Sequence, residues 1–519
     1  MGKLYPVGIQ NFEKLRKDGY CYIDKTDKIY ELVKTGSYYF LSRPRRFGKS
    51  MLISTLEAYF QGKKELFGGL AIGALEKEWK QYPVLHLDLN TEKYNTIEAL
   101  DKKLDLALAE WESLYGSNPH EQSLASRFEG IIKRAAAKTG TRVVILIDEY
   151  DKPLLQAIGD QERQDEYRGT LKAFYGALKS QDRNIRFALL TGVTKFGKIS
   201  VFSDLNNLDD ISRDNRYIDI CGITEKELQD NFSEDIRELA AANGQSYDQA
   251  CAQLKEDYDG YHFCENSIGL YNPFSILNTF AKKAYGRYWF ETGTPTYLVE
   301  LLKLHKYDLY KMAHTKTTSR VLDSIDASST NPIPVIYQSG YLTIKGFIPE
   351  PRIYELGFPN REVEEGFMDF LLPYYTPVEE AESGFAIWEF ISDVKSGDID
   401  SFMKRLQAFL ADCPYEMAKD IELHYQNVLF IVFRLAGLYT QVEYHTSQGR
   451  IDLVLQTPGY VYIMEFKLDG SAEQAIAQIE EKQYALPFAK DSRKVYIIGV
   501  NFSSTTRNID RWIVKNGRP

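Results

Sequence analysis

The run Tyr38-Tyr-Phe-Leu-Ser-Arg43-Pro-Arg45-Arg46-Phe-Gly48-Lys49-Ser50-Met-Leu-Ile-Ser-Thr-Leu constrains this chain more than any other. It passes from a short apolar segment of strand character, through a loop ending in glycine, into a helical pattern. A loop so placed aims backbone N–H groups and the positive end of a helix at one point, which is a binding site for phosphate. Lys49 can then reach the β and γ oxygens of a nucleotide and Ser50 can ligate magnesium, while Arg45 and Arg46 add positive charge from the loop. Arg43 stands where the usual motif has its first glycine. Gly-Lys-Ser alone recurs by chance, and its position between strand and helix gives it weight.

A nucleotide-binding sheet of this type needs an acid at the end of a neighbouring buried strand, and Val143-Val-Ile-Leu-Ile-Asp148-Glu149 supplies one. Asp148 is expected to hold magnesium and Glu149 to polarise the attacking water as general base. Taken alone, a strand ending in two solvated acids explains the same residues. Further apolar runs at Tyr38 to Leu41, Val84 to Leu89 and Arg186 to Leu190 alternate with helical patterns beginning near Lys49, Thr96, Glu121 and Gln161. That alternation predicts a parallel sheet with crossover helices, the α/β fold of a P-loop NTPase. The polar end of the run Phe187 to Lys195 is a γ-phosphate sensor or a plain strand-to-turn transition. Arg183, Arg186, Arg213 and Arg216 are equal candidates for an arginine finger.

From Thr224 the pattern changes to helices, the first opened by a capping box in Thr224-Glu-Lys-Glu227. We therefore divide the chain into an ATP-binding domain over 1–222, a helical, winged-helix-like connector over 223–394, and a third domain over 395–519. The proline-bearing segment Phe347 to Pro359 reads as a connection.

The third domain carries helical stretches at Asp398 to Leu410 and Met417 to Arg434. Strands at Tyr439 to Tyr444, Ile451 to Leu455 and Tyr460 to Phe466 follow, then a helix at Ser471 to Tyr484 and a strand at Lys494 to Val500, in the order αβββαβ. Period-two alternation sets Glu465 and Lys467 on one face, and pairing of adjacent strands could bring Asp452 beside them. Asp452 and Glu465 offer hard oxygen ligands for magnesium, and Lys467 can activate a water and steady charge on a scissile phosphate. Glu422, Gln478 and Tyr484 are further polar residues on the flanking helices. A strand edge of alternating charge is the plainer alternative.

Composition bounds what such a chain can be. Its 519 residues suit about three domains. Lys and Arg number 63 against 73 Asp and Glu, so the net charge of −10 excludes a basic nucleic-acid coat protein. Residues 421–519 hold eleven basic and ten acidic residues, and Arg507, Arg511, Lys515 and Arg518 near the end form a phosphate-contacting edge or a solvated face. The five cysteines contain no Cys-x-x-Cys pair, which argues against disulfides and structural zinc and fits a reducing cytoplasm. No apolar run is long enough to span a membrane.

The sequence resembles a family of bacterial and archaeal proteins that join an AAA-like P-loop ATPase to a C-terminal PD-(D/E)XK nuclease-like domain. The likeness rests on Pro6-Val-Gly-Ile-Gln-Asn-Phe12, Tyr22-Ile-Asp-Lys-Thr26, Arg43-Pro-Arg-Arg-Phe-Gly-Lys-Ser50 and Asp148-Glu-Tyr-Asp-Lys-Pro153. It extends through Asn206-Asn-Leu, Tyr258-Asp-Gly-Tyr261, Gly449-Arg-Ile-Asp452, Glu465-Phe-Lys467 and Gln478 to Tyr484, nearly the whole chain. The resemblance implies ATP binding and a restriction-endonuclease-like fold, with Arg43 an ordinary family residue. The resulting expectation is a magnesium-requiring ATPase joined to a magnesium-dependent nuclease for DNA or RNA. Its partners would be ATP and nucleic acid, with a homo-oligomer as a further option and no membrane. The alternative is a regulatory NTPase switch or scaffold whose nuclease-like domain binds without cleaving.

Overall fold

The structure is a computed structural model that describes residues 3–195, 207–290, 298, 302, 308–323, 331–375, 383–411, 421–435, 439–446 and 449–517. The side chains of Tyr310, residues 383–387, 421–426, 433, 439–446 and 449–452 lie outside the description. The chain packs as two units, one of Met1–His305 with Thr315–Glu362 and one of Lys306–His314 with Val363–Pro519.

The first unit is built on strands β1 (Tyr38–Ser42), β2 (Val84–Asp88), β3 (Val143–Asp148), β4 (Ile185–Gly192) and β5 (Asp209–Asp210). They lie in the order β2-β3-β4-β1-β5, and every pairing is parallel. Interior strand β3 is buried along its whole length, which is why Val143-Val-Ile-Leu-Ile reads as an unbroken apolar run rather than an alternating one. Each Leu or Ile so covered contributes about 1.5–3 kcal/mol. Helices Ala99–Tyr115, Leu124–Thr139 and Gln161–Ser180 are the crossovers read from the sequence, with starts shifted by at most a few residues. The parallel register sets the C-terminal ends of β1, β3 and β4 side by side, with Asp88 opposite Asp148.

Strands β6 (Ile223–Thr224) and β7 (Leu270–Tyr271) form a small antiparallel pair. Between and after them lie helices Glu225–Ala242, Tyr247–Tyr258 and Pro273–Lys282, the first opened by the expected Thr224 and Glu227 capping box. Strands β8 (Lys316–Thr318), β9 (Thr343–Ile348) and β10 (Ile353–Gly357) form a separate antiparallel sheet in the order β8-β10-β9. Helices Ser319–Leu322 and Ile333–Gln338 fall between β8 and β9, giving the strand, helix, helix, hairpin order of a winged helix. The Phe347 to Pro359 segment is thus the turn and second arm of a hairpin rather than a connection. Its prolines, Pro349, Pro351 and Pro359, sit in the turn and beyond the strand, where no ladder donor is needed.

The second unit carries the sheet β11 (Tyr439–Thr446), β12 (Gly449–Gln456), β13 (Tyr460–Leu468), β14 (Lys494–Ser503) and β15 (Asn508–Asn516), hydrogen-bonded in that order. Helix Ile421–Leu435 precedes it and helix Ala472–Glu481 crosses from β13 to the parallel β14. The expected αβββαβ order is present and continues into one more strand, β15, which pairs antiparallel with β14. Its charged residues hid it: Asn-Ile-Asp-Arg-Trp-Ile-Val-Lys-Asn is an edge strand, where polar side chains are tolerated on both faces.

Candidate functional site

In the first unit the loop after β1 leads straight into helix Lys49–Phe60. Gly48 caps that helix at φ 99°, a left-handed conformation that favours glycine. A Cβ there would meet open space, so the backbone is bare to an approaching ligand. Lys49 is 4% exposed, and its ammonium donates to the carbonyls of Arg43 at 3.1 Å and Pro44 at 3.3 Å and lies 3.3 Å from Glu149 Oε1. Arg43 is not a phosphate ligand. Its buried guanidinium donates to the carbonyls of Ser42 at 2.9 Å, Ser212 at 2.7 Å and Ile218 at 3.0 Å, and stacks over Phe263 at 4.2 Å. It fastens the start of the loop to the segment after β5, a task the usual glycine could not perform.

Asp148 ends β3, 4% exposed, and accepts hydrogen bonds from the hydroxyls of Thr191 at 2.5 Å and of Ser50. Burial and the neighbouring Glu149 hold its carboxyl above the usual carboxylate range, against those two hydroxyls and Lys49. Glu149 takes φ 54° and leans back to Lys49. Asp151 is fully buried and accepts from the amides of Val193 and Thr194 and, at 2.5 Å, from the Thr194 hydroxyl. It ties the turn after β3 to the end of β4. Burial, then Glu149, pushes its carboxyl up to about 6.

Beside these groups lies a cleft of 410 Å³. Arg45, Arg46, Gly48, Lys49, Ser50 and Glu149 all line it, so the structure brings together the loop residues and the acid that the sequence separates by a hundred positions. Asp148 stands directly behind, joined through Ser50. Arg46 is exposed and lies over the Phe274 ring at 4.8 Å. The opposite wall is apolar, from Ile9, Tyr22, Ile23, Ile223, Phe274 and Leu277. Among the polar cleft residues that escaped the sequence reading are Lys25, Asn90 and Lys152. Two of them sit inside strings already singled out, Tyr22-Ile-Asp-Lys-Thr26 and Asp148-Glu-Tyr-Asp-Lys-Pro153, so a role for each lysine could have been sought. Lys25 is held by Glu227 at 2.5 Å.

Of the arginine-finger candidates, Arg183 precedes β4 and Arg186 is its second residue, both at the strand's N-terminal end and away from the loop. Arg213 reaches Asp323 and Glu265, and Arg216 reaches Asp214. The polar end of β4 is likewise engaged internally, since Thr191 serves Asp148, Thr194 serves Asp151, and the Lys195 amide donates to Gln338 Oε1 at 2.6 Å.

In the second unit Glu465 is 2% exposed near the end of β13 and accepts from the Lys467 ammonium at 2.9 Å. That ammonium also donates to Gln478 Oε1 at 2.6 Å on helix Ala472–Glu481. Gly499, opposite Glu465 in β14, lets this helix approach: a Cβ there would lie 2.4 Å from the Ala472 carbonyl oxygen. Asp452 sits on β12 one residue before Leu453, which pairs with Met464, so its backbone adjoins the Glu465 position. The side chains of Asp452 and Glu422 lie outside the described residues. Tyr484 packs in the core with Val461, Ile476 and Ile479. The C-terminal basic residues are internally paired where described, Arg511 with Glu473 at 3.0 Å and Lys515 with Glu480 at 2.6 Å.

Both sites present oxygen donors, which suits magnesium better than a soft metal. Among the described residues no three His, Cys, Asp or Glu side chains converge on one point, so each shell would be completed by water and phosphate oxygens. No helix of the described residues is long and apolar enough to cross a membrane.

A strand, a Gly-Lys-Ser loop, a helix and an acid pair on a parallel sheet define an AAA-ATPase-like domain, and the Glu-x-Lys strand of the C-terminal sheet matches a nuclease-like one. Comparison agrees: residues 6–202 match the family described as predicted AAA-ATPase, and residues 420–512 match the PD-(D/E)XK nuclease superfamily. The chain is 34% identical to an uncharacterised protein from the vnfD 5′ region of Azotobacter chroococcum mcd 1, over 99% of each chain. It belongs to that family of proteins, in which an AAA-ATPase-like domain precedes a PD-(D/E)XK nuclease-like domain. The Aeropyrum pernix ORC2 protein, solved as ADPNP and ADP complexes, matches 64% of this chain and 87% of its own at 11% identity and a TM-score of 0.23, too loose to carry residue roles across.

Proposed function

We propose that this protein binds and hydrolyses ATP with magnesium in the N-terminal cleft, and that its C-terminal domain cleaves DNA or RNA with magnesium under control of the nucleotide state. The observation that carries the reading is the lining of the cleft, which among the described residues holds Lys25, already paired with Glu227, together with Arg45, Arg46, Lys49 and Lys152 and one carboxylate, Glu149. Such a surplus of positive charge around a glycine-capped helix suits a triphosphate. Lys49 binds the β and γ phosphates, Ser50 and Asp148 hold the metal, Glu149 polarises water, and the apolar wall takes the base. Entry of the γ-phosphate draws Lys49 away from Glu149 and releases that carboxylate for water.

In the C-terminal domain Asp452 and Glu465 hold the metal and Lys467, steadied by Gln478, orients water at the scissile phosphate. Bound magnesium supplies neutralisation of phosphate charge and a more acidic water. The three parts 1–222, 223–394 and 395–519 are the proposed motor, connector and nuclease. The test is incubation of the purified chain with plasmid, linear duplex, single-stranded DNA and RNA in magnesium, with and without ATP. Cleavage is expected, and should be lost in Asp452→Ala and Lys467→Ala. ATP turnover without cutting of any of these substrates would replace the nuclease by a regulatory switch or scaffold.

A further inference from the structure

Lys152 is the cleft residue that the phosphate-loop chemistry leaves without a task. It opens the short helix Lys152–Gln156, and its amide donates to the Glu149 carbonyl at 3.0 Å, so it stands one turn from the acid proposed to polarise water. Its ammonium donates to Asn90 Oδ1 at 3.1 Å, and among the described residues no carboxylate comes within ion-pair distance of it. The other cleft lysines are differently placed: Lys49 meets Glu149 and two carbonyls, and Lys25 meets Glu227. A half-buried ammonium beside Arg45 and held by a neutral amide is poorly satisfied until an anion arrives. Burial and then Arg45 hold it below the ordinary lysine value, with the nearby acids only partly compensating.

Phosphoryl transfer is accelerated by a cation on the γ-phosphate beyond the loop lysine, in many NTPases an arginine supplied from the same chain or in trans. Three of the four arginines weighed for that task are committed elsewhere, Arg186 to the Val33 carbonyl, Arg213 to Asp323 and Glu265, and Arg216 to Asp214, while Arg183 precedes the wrong end of β4. We infer that Lys152, positioned by Asn90, contacts the γ-phosphate from within the same chain and takes up the charge that develops as the bond to the β-phosphate breaks. Water attacks the γ-phosphorus, its proton passing to Glu149, and ADP leaves with the bonding electron pair. This inference rests on the ATPase reading above. It adds that the chain is self-sufficient in hydrolysis, needing no partner subunit to complete the site.

The test compares full-length wild type with Lys152→Ala, Lys152→Gln, Lys152→Arg and Asn90→Ala, each checked by thermal melting. ADP affinity by calorimetry should stay within about 2-fold in all variants, because ADP lacks the γ-phosphate. The kcat for ATP should fall at least about 100-fold in Lys152→Ala and Lys152→Gln, less in Lys152→Arg, and to an intermediate degree in Asn90→Ala. Wild-type specific activity should be constant over about a 100-fold dilution. Turnover within about 3-fold of wild type in Lys152→Gln, or loss of ADP binding in step with kcat, would overturn the assignment. Specific activity that rises with protein concentration would overturn self-sufficiency. A wild-type chain that binds no ATP fails the parent reading instead, and the wild-type calorimetry alone separates that failure from one of Lys152.

Discussion

The N-terminal cleft is lined by five cationic side chains from positions 25 to 152, of which Lys49 pairs with Glu149 and Lys25 with Glu227. On the C-terminal sheet the centre is a buried carboxylate, Glu465, with Lys467 at 2.9 Å and Gln478 behind it, all within fourteen residues of sequence. The first arrangement attracts a polyanion by itself. The second repels one, because a carboxylate facing a phosphodiester must be screened by a metal before the two can meet. Metal should therefore be an accessory to binding in the cleft and a condition of cleavage on the sheet.

The sharpest way to break this contrast is removal of magnesium. With EDTA, cleavage should fall by at least about 10³-fold while calorimetry still detects ADP in the cleft; equal dependence of both on metal would erase the distinction. Next comes Lys49→Ala, which should lower ATP turnover by about 10²–10³-fold and abolish any effect of ATP on cleavage, leaving ATP-free cleavage intact. Arg43→Gly restores the usual glycine yet strands several buried carbonyls, so it should cost about 3 kcal/mol in urea unfolding of the first unit rather than improve binding. Gly499→Ala should cost about 1–3 kcal/mol by pushing helix Ala472–Glu481 off β14, and should weaken cleavage by parting Gln478 from Lys467. The smallest effect concerns Asp151. Its folded carboxyl, at about 6, lies above the unfolded value, so the folded state binds this proton more tightly. Its contribution to stability therefore grows as pH falls from about 6 toward 4, and the slope of melting temperature against pH in that window should flatten in Asp151→Asn.

Much of the fold was legible because parallel strands buried on both faces must be largely continuous apolar runs, as β1, β3 and β4 are, while edge strand β2 showed as an alternating one. The crossover helices followed from their amphipathic spacing. Strand β15 and the β9 to β10 hairpin were not legible, for they lie at edges or in small sheets where side chains are polar and prolines are permitted. The loop residues Arg45 to Ser50 and the acids Asp148 and Glu149 could be named because their chemistry is local to strand ends. Asn90 could not, since nothing in a lone asparagine says which cavity it will face, and Lys25 and Lys152 were signalled only by the motif strings that hold them.

The amino-acid sequence by itself determined the two-part character of this protein: a phosphate loop on a parallel sheet, then a Glu-x-Lys strand in an αβββαβ frame. Periodicity and motif spacing are properties of neighbours along the chain, and they carry that information without further help. Tertiary structure decided which charges are spent and which are left for a ligand. It buried Arg43 among carbonyls, paired Arg511 and Lys515 with the helix beside them, and, among the described residues, held the Lys152 ammonium by Asn90 rather than by a carboxylate. Charge is written in the sequence, but its availability depends on which partners burial brings within a few ångströms.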